Sequence, residues 1–305
     1  MTSNFLTRFA ALGLLALSAL LASCGSSSIK DPFVPTRVVV FGDSFSVVST
    51  TAAYTVNDGL TNNWAKQIAD TYGVTTVVSR AAGNALVTDV AAQVALFGGA
   101  YQAGDLVIVS AGYRDIIDDA TAGTSTASAK GTAFANVIRT IVANGAKHVA
   151  VTNVYDLSKT PAAALTPATT TSTNLAALSG SRGALVQAFN DALKINLGSQ
   201  VLSYIGDNVR LVDAEFYMNL VRAAPTSYSF VDSTTVACTG GGTGIGVGTI
   251  DSSVCTSTTL NAAANATTYN ADLYDNYVFA DNVYPTPAFH RSFGTYVYAQ
   301  LIGRW

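Results

Sequence analysis

Residues 37–46 read Arg-Val-Val-Val-Phe-Gly-Asp-Ser-Phe-Ser, and this stretch decides the fold. The valine run at 38–40, followed by small turn-forming residues, is typical of a buried strand that ends in a tight loop. The loop places the hydroxyl of Ser44 at the carboxyl end of that strand. Open parallel sheets carry their chemistry at this end. We therefore expect Ser44 to lie in a functional site.

The rest of the mature chain alternates strand and helix patterns. Further strands are predicted at 75–79, 106–110, 149–152 and 209–212, and helices at 63–72, 87–97, 132–144, 185–197, 215–222 and 285–302. Repeated βα units predict a doubly wound α/β fold of three layers, in which helices cover both faces of a parallel sheet. One such domain is expected over residues 36–305. It carries a polar, glycine-rich insertion at about 226–275.

The N-terminal segment is not part of this domain. Arg8 precedes an apolar stretch that is too short to span a bilayer, and Leu-Ala-Ser-Cys follows at 21–24. This pattern predicts a signal peptide over 1–23, and its ending resembles the lipobox of bacterial lipoproteins. We expect Cys24 to carry lipid and 24–35 to form a tether. The alternative is an ordinary signal peptide with a chance cysteine.

The resemblance to a lipobox also predicts a location. The expected protein is exported and held at the bacterial cell envelope by its N-terminal lipid. Gly25 follows the lipidated position, where an Asp often signals retention in the inner membrane. We therefore expect the outer membrane, with the domain facing the periplasm.

Charge and residue usage narrow the function classes. Charged residues make up 11% of the chain, the net charge is −3, and no basic patch stands out, so nucleic acid is not an expected partner. The chain has two histidines and no HExxH pattern, so we expect no metal site and no cofactor. Cys238 and Cys255 form an even pair in an exported chain and predict a disulfide. With both cysteines paired, a serine is the remaining candidate for a catalytic nucleophile.

Four blocks of sequence, in order, resemble the motifs of the GDSL (SGNH) ester hydrolases. Residues 41–46 resemble the first motif, whose serine is the nucleophile. Ala-Ala-Gly-Asn at 81–84 resembles the second, in which a glycine N–H helps to hold the oxyanion. Ser-Ala-Gly-Tyr-Arg-Asp at 110–115 resembles the third, which supplies an asparagine oxyanion donor. Phe-Ala-Asp-Asn-Val-Tyr-Pro-Thr at 279–286 resembles the last, which supplies a carboxylate and the base histidine.

The resemblance implies a five-stranded sheet of flavodoxin-like order and a set of site residues. Ser44 is the expected nucleophile, Asp281 the orienting carboxylate and Gly83 an oxyanion donor. Two positions depart from the family pattern, because Arg114 stands in place of the asparagine and Tyr284 in place of the histidine. Arg114 could still donate to an oxyanion, or it could pair with a nearby carboxylate.

The change at Tyr284 bears most on activity. A phenol with a pKa near ~10 is a poor general base at neutral pH. Removing the histidine of a serine hydrolase can lower kcat by about 10⁶. His290, in the last helix, is the alternative base. His148 begins its strand, at the opposite end of the sheet from Ser44, and is expected to be structural.

The sequence leaves two functions open. The resemblance implies an exported, membrane-tethered serine ester hydrolase of the lipase and esterase type, acting on an ester or lipid-like substrate and weakened by Tyr284 and Arg114. The alternative is a catalytically inactive protein of the same fold that binds a lipid, a glycan or an acyl ligand at the cell envelope. The sequence contains nothing that identifies the substrate.

Overall fold

A computed structural model of the chain describes residues 32–61, 63–164, 175–199, 208–239, 250–260 and 273–305. Within it, Phe33–Trp305 forms one compact unit. The predicted signal peptide, Cys24 and most of the tether lie outside the described residues, so those predictions stay as they are. Among the helices that the structure describes, none is both long and apolar enough to cross a membrane.

The centre of the unit is a parallel sheet of five strands in the order β2-β1-β3-β4-β5. The strands are β1 Arg37–Gly42, β2 Val77–Ser79, β3 Asp105–Ser110, β4 His148–Thr152 and β5 Val209–Val212. In the register of the sheet, Val39 of β1 lies opposite Val78 of β2 and Val107 of β3. The residues of β3 are all buried, as expected of a strand that is covered on both faces. The predicted doubly wound α/β fold and its strand order are confirmed.

Helices cover the sheet on both faces. They are α1 Trp64–Thr71, α2 Val87–Phe97, α3 Tyr113–Ala122, α4 Ala127–Ala143, α5 Leu175–Ser199, α6 Ala214–Ala223 and α7 Pro287–Leu301. Six of them correspond to helices predicted from sequence, although α4 and α5 begin earlier than expected. The helix α3 was not predicted. It starts directly after Gly112, whose φ of 115° suits glycine and lets β3 turn into a helix.

The insertion adds a small second sheet at the side of the domain. In it β6, Asp232–Val236, pairs in parallel with β7, Tyr277–Phe279. Cys238 and Cys255 form a disulfide, which confirms the predicted pairing. The bonded cysteines are buried in a small apolar cluster with side chains from the loop after β1 and from the end of β7. Residues 240–249 and 261–272 of the insertion lie outside the described part of the chain.

Candidate active site

Ser44 lies in a single helical turn at the carboxyl end of β1. Asp43 precedes this turn, and its Oδ1 accepts a hydrogen bond from the N–H of Phe45 at 3.2 Å. The Ser44 Oγ accepts a hydrogen bond from the N–H of Asn84 at 2.8 Å. The structure thus brings Ser44 against the loop that carries Gly83, which is the neighbour that the motif order predicts. Ser44 is only 2% exposed.

The Asp43 carboxylate ties the ends of β1 and β3 together. It accepts hydrogen bonds from the Ser110 hydroxyl at 3.0 Å and from the Tyr113 N–H at 3.3 Å. Burial raises the pKa of Asp43 to about 7, and these donors only partly oppose the effect. The described hydrogen bonds of this carboxylate go to the turn, to the end of β3 and to the start of α3, so it positions the turn that carries Ser44.

Tyr54, from the loop after β1, covers Ser44. A Cβ on residue 83 would come within 2.5 Å of the Tyr54 hydroxyl oxygen, so only glycine leaves room for this phenol. The hydroxyl also approaches the side chains of Ser44 and Ser253, and burial raises the pKa of Tyr54 above its usual value. Its ring lies edge-on to that of Tyr284, with centroids 5.0 Å apart. Sequence reasoning missed Tyr54, because it belongs to no motif.

The side chain of Tyr284 also lies beside Ser44. Its side chain is 0% exposed, and its hydroxyl approaches Ser44 but forms no well-aligned hydrogen bond within the described part of the chain. Burial, with the nearby charge of Asp43, raises the pKa of Tyr284 well above 10. The phenol is therefore neutral at physiological pH and can donate a proton but not accept one from Ser44.

Asp281 is fully engaged by hydrogen bonds. Its Oδ1 accepts from the N–H groups of Val283, at 2.7 Å, and Tyr284, at 2.6 Å. Its Oδ2 accepts from the N–H of Ser252 at 3.1 Å and from the Ser252 hydroxyl. Burial raises the pKa of Asp281 to about 6 in spite of these donors. The carboxylate predicted to orient a base instead holds the 281–284 turn and fastens it to the disulfide loop.

Arg114 is directed to the side of α3. Its Nε donates to Asp118 Oδ1 at 2.7 Å, and its side chain is 31% exposed. Residues four apart share one face of a helix, so the unpredicted helix α3 accounts for this pair. The contacts of the described residues join Arg114 to Asp118 and do not join it to Ser44 or Tyr284. The geometry thus does not support the oxyanion role that the motif position predicts for Arg114.

Neither histidine contacts Ser44 in the described part of the chain. His290 is 2% exposed and packs on the Phe45 ring with centroids 5.4 Å apart. Burial lowers the pKa of His290 to about 3, although the nearby Tyr54 backbone partly opposes this shift. A neutral imidazole of such low basicity does not suit a general base. His148 stacks on Phe33 at the amino end of β4, as expected of a structural residue.

The site is therefore a cluster of neutral hydroxyls and backbone N–H groups around one serine. Ser44, Tyr54 and Tyr284 supply the hydroxyls, and the loop at Gly83 and Asn84 supplies N–H groups that can donate to an oxyanion. Among the described contacts of Ser44, no group has a pKa near neutrality. The described residues contain no grouping of three His, Cys, Asp or Glu side chains that would hold a metal ion.

Several known proteins are similar to this chain. Similar solved structures include a lipolytic protein of the G-D-S-L family from Veillonella parvula (12% identity, TM-score 0.48, 87% of this chain and 97% of that one). They also include the acetyl xylan esterase AlAXEase (14%, 0.47, 87% and 100%) and a lipase/acylhydrolase from Enterococcus faecalis (10%, 0.45, 87% and 94%). No curated protein matches the sequence. The profile of the GDSL-like lipase/acylhydrolase family matches residues 38–297, and the chain belongs to that family.

Proposed function

We propose that the protein is an exported serine ester hydrolase with slow turnover, in which Ser44 is the nucleophile. The observation that carries this proposal is the hydrogen bond from the Asn84 N–H to Ser44 Oγ, which holds the serine against the Gly83 loop at the carboxyl end of β1. Membership of the GDSL-like lipase/acylhydrolase family supports ester chemistry. The substrate class is an ester or a lipid-like ester.

In this proposal Ser44 Oγ attacks the carbonyl carbon of the ester, and the carbonyl oxygen becomes an oxyanion. The N–H groups of the Gly83 loop stabilise that charge. The Tyr284 phenolate takes the proton of Ser44 and passes it to the alcohol that leaves when the tetrahedral intermediate collapses, so an acyl group remains on Ser44. Water then releases the acid.

Proton removal from Ser44 limits the rate. With the pKa of Tyr284 above 10, fewer than about one phenol in 10³ is ionised at pH 7. Each unit of increase in pH raises the phenolate fraction about tenfold as long as the pH stays below that pKa. Turnover through a Tyr284 phenolate therefore rises steeply with pH. The covering of Ser44 by Tyr54 is a second barrier, because the phenol must move before an ester can reach the hydroxyl.

The same proposal includes a lipid anchor at Cys24 and residence at the outer membrane, facing the periplasm. The sequence pattern at 9–24 supports it. Several acyl chains, as in bacterial lipoproteins, anchor a protein stably, whereas one chain anchors it only marginally. Mass spectrometry of the native N-terminus tests this part, and an unmodified N-terminus beyond residue 24 would contradict it.

A second candidate function is binding without turnover of a lipid, glycan or acyl ligand. The burial of Ser44 under Tyr54, together with the absence of a basic group among its described contacts, favours it. The deciding experiment measures kcat/KM on a short-chain nitrophenyl ester from pH 7 to 10, with the Ser44→Ala variant as the background. Activity that rises with pH and vanishes in Ser44→Ala supports the hydrolase. Equal rates for the two proteins would leave only the binding function.

A further inference from the structure

A cavity of about 400 Å³ lies where the loop after β4, the last turn of α6 and β6 meet. Its lining includes Ser158, Lys159, Thr160, Arg222 and Thr234. None of the residues that contact Ser44 belongs to this lining. The cavity is therefore distinct from the candidate active site. A ligand could bind in it whether or not the protein hydrolyses esters.

Arg222 has a hydrogen-bond donor without a partner among the described residues. Its Nε is buried and has no hydrogen-bond partner in the described part of the chain. Burial lowers the pKa of Arg222, while the carboxylate of Asp156 opposes this shift from a distance. A buried guanidinium N–H without an acceptor is unfavourable, and an anion in the adjoining cavity would supply that acceptor.

Lys159 brings a second positive charge to the same cavity and is free to turn toward a ligand. Its side chain is 52% exposed, and its Nζ lies 3.5 Å from Asp156 Oδ2 and 3.4 Å from Asn219 Oδ1. These separations are long for a hydrogen bond, and ion pairs as exposed as this one contribute little. Asp156 Oδ1 is already held by Ser158, through the N–H at 2.9 Å and the hydroxyl at 2.6 Å.

The two charged side chains that line the cavity are both positive. These are Lys159 and Arg222, and the carboxylate of Asp156 contacts the lining at Lys159. Asp232 lies beside the rim, where its carboxylate accepts from the N–H groups of Thr234 and Thr235 and from their hydroxyls. A fork-shaped guanidinium and a mobile ammonium together suit a tetrahedral anion that carries two charges. The volume leaves room for a substituent on such an anion.

We propose that this cavity binds a phosphate group, either as free phosphate or as a phosphate monoester, through Arg222 and Lys159. The Arg222 guanidinium donates to one phosphate oxygen. The Lys159 ammonium leaves Asp156 and approaches a second oxygen. No bond is made or broken, so the site is a binding site only.

The test measures binding of inorganic phosphate and of glycerol 3-phosphate to the full-length protein by isothermal titration calorimetry at low ionic strength. We expect a Kd of about 1 mM or tighter for at least one of them. Arg222→Gln should weaken binding about tenfold or more, because it removes a charged donor. Lys159→Gln should weaken it by a smaller factor and should reduce the dependence of Kd on salt. Lys66→Gln is the matched control, since Lys66 pairs with Asp70 on α1.

The two ligands distinguish the source of the phosphate group. Tighter binding of glycerol 3-phosphate assigns a monoester, and tighter binding of inorganic phosphate assigns the free ion. Failure to bind either ligand, or equal binding by wild type, Arg222→Gln and Lys159→Gln, would overturn the proposal. Lys159 is half exposed, so Lys159→Gln should fold even if Arg222→Gln does not, and circular dichroism checks both variants.

Discussion

Replacing Tyr284 by histidine should restore a base at the position where the family keeps one. The backbone of residue 284 is already fixed, because its N–H donates to Asp281 Oδ1 at 2.6 Å. We expect Tyr284→His to raise kcat/KM on a short-chain nitrophenyl ester by about 10², well below the factor of about 10⁶ that a histidine can supply. The reason for this modest gain is the environment of the new imidazole.

Two features of the pocket limit the gain. The first is burial, which lowers the pKa of the neighbouring His290 to about 3 and would also lower that of an imidazole at position 284. The second is Asp281, whose oxygens are already shared among the N–H groups of residues 252, 283 and 284. The smaller ring also leaves a void of roughly 40 Å³, which costs about 1 kcal/mol of stability at ~24 cal/mol per Å³. The variant should therefore fold.

Tyr284→Phe is the matched control, since it removes the hydroxyl without adding a base. Ser44→Ala in the Tyr284→His background tests whether any gain passes through the serine. Equal kcat/KM values for folded Tyr284→His and Tyr284→Phe would refute the reasoning, because the pocket would then not hold an imidazole in hydrolase geometry. Arg114→Asn, added to Tyr284→His, should change the rate less than twofold, because Arg114 pairs with Asp118 on the side of α3.

Three further predictions follow from the same contacts. Tyr54→Ala should expose Ser44 and increase its labelling by a fluorophosphonate probe, measured by mass spectrometry, whereas equal labelling would show that Tyr54 is no cover. Changing both Cys238 and Cys255 to serine should lower the free energy of unfolding by about 3 kcal/mol, measured in urea, because the bridge closes a loop across 17 positions; no loss would contradict that estimate. Burial raises the pKa of Asp281 to about 6, so its stabilising effect is complete below about pH 4 and is lost as the pH rises through 6. Asp281→Asn should remove about 3 kcal/mol of that pH dependence from urea unfolding curves, and unchanged dependence would exclude Asp281 as its source.

The sheet could be predicted from the sequence because its signals are local. Runs such as 37–42 and 105–110 are apolar and bounded by turn residues, and each became a buried strand of the predicted order. The disulfide followed from an even pair of cysteines in a chain with a leader-like N-terminus. Ser44 was predicted from its place directly after a strand, and Gly83 from the resemblance of residues 81–84 to a family motif. In all these cases the neighbours along the chain determine the position.

What the sequence did not show depends on contacts between distant segments. Tyr54 has no local signal, and its position over Ser44 follows from the fastening of its loop at Asn57. The N–H of Asn57 donates to Cys255 O at 2.9 Å, and its side-chain amide donates to three carbonyl oxygens at 252–255. Arg114 was assigned to the site from its position in the third motif, whereas the helix that begins there directs it to Asp118. Neither the position of Tyr54 over Ser44 nor the orientation of Arg114 can be derived from composition or from motif spacing.

The replacement of histidine by tyrosine changes the electrostatics of the whole pocket. A catalytic histidine must become charged during acyl transfer, and a buried imidazolium needs a carboxylate that is free to pair with it. Here Asp281 is committed to backbone N–H groups and to Ser252, and Tyr284 and Tyr54 are neutral phenols whose burial requires no counter-charge. The hydroxyl groups around Ser44 therefore form a neutral cluster that needs no buried cation. Any base that is introduced must compete for Asp281 with the hydrogen bonds that now hold the 281–284 turn. The activity that Tyr284→His recovers therefore measures how far the electrostatics of this pocket differ from those of a hydrolase with a histidine base.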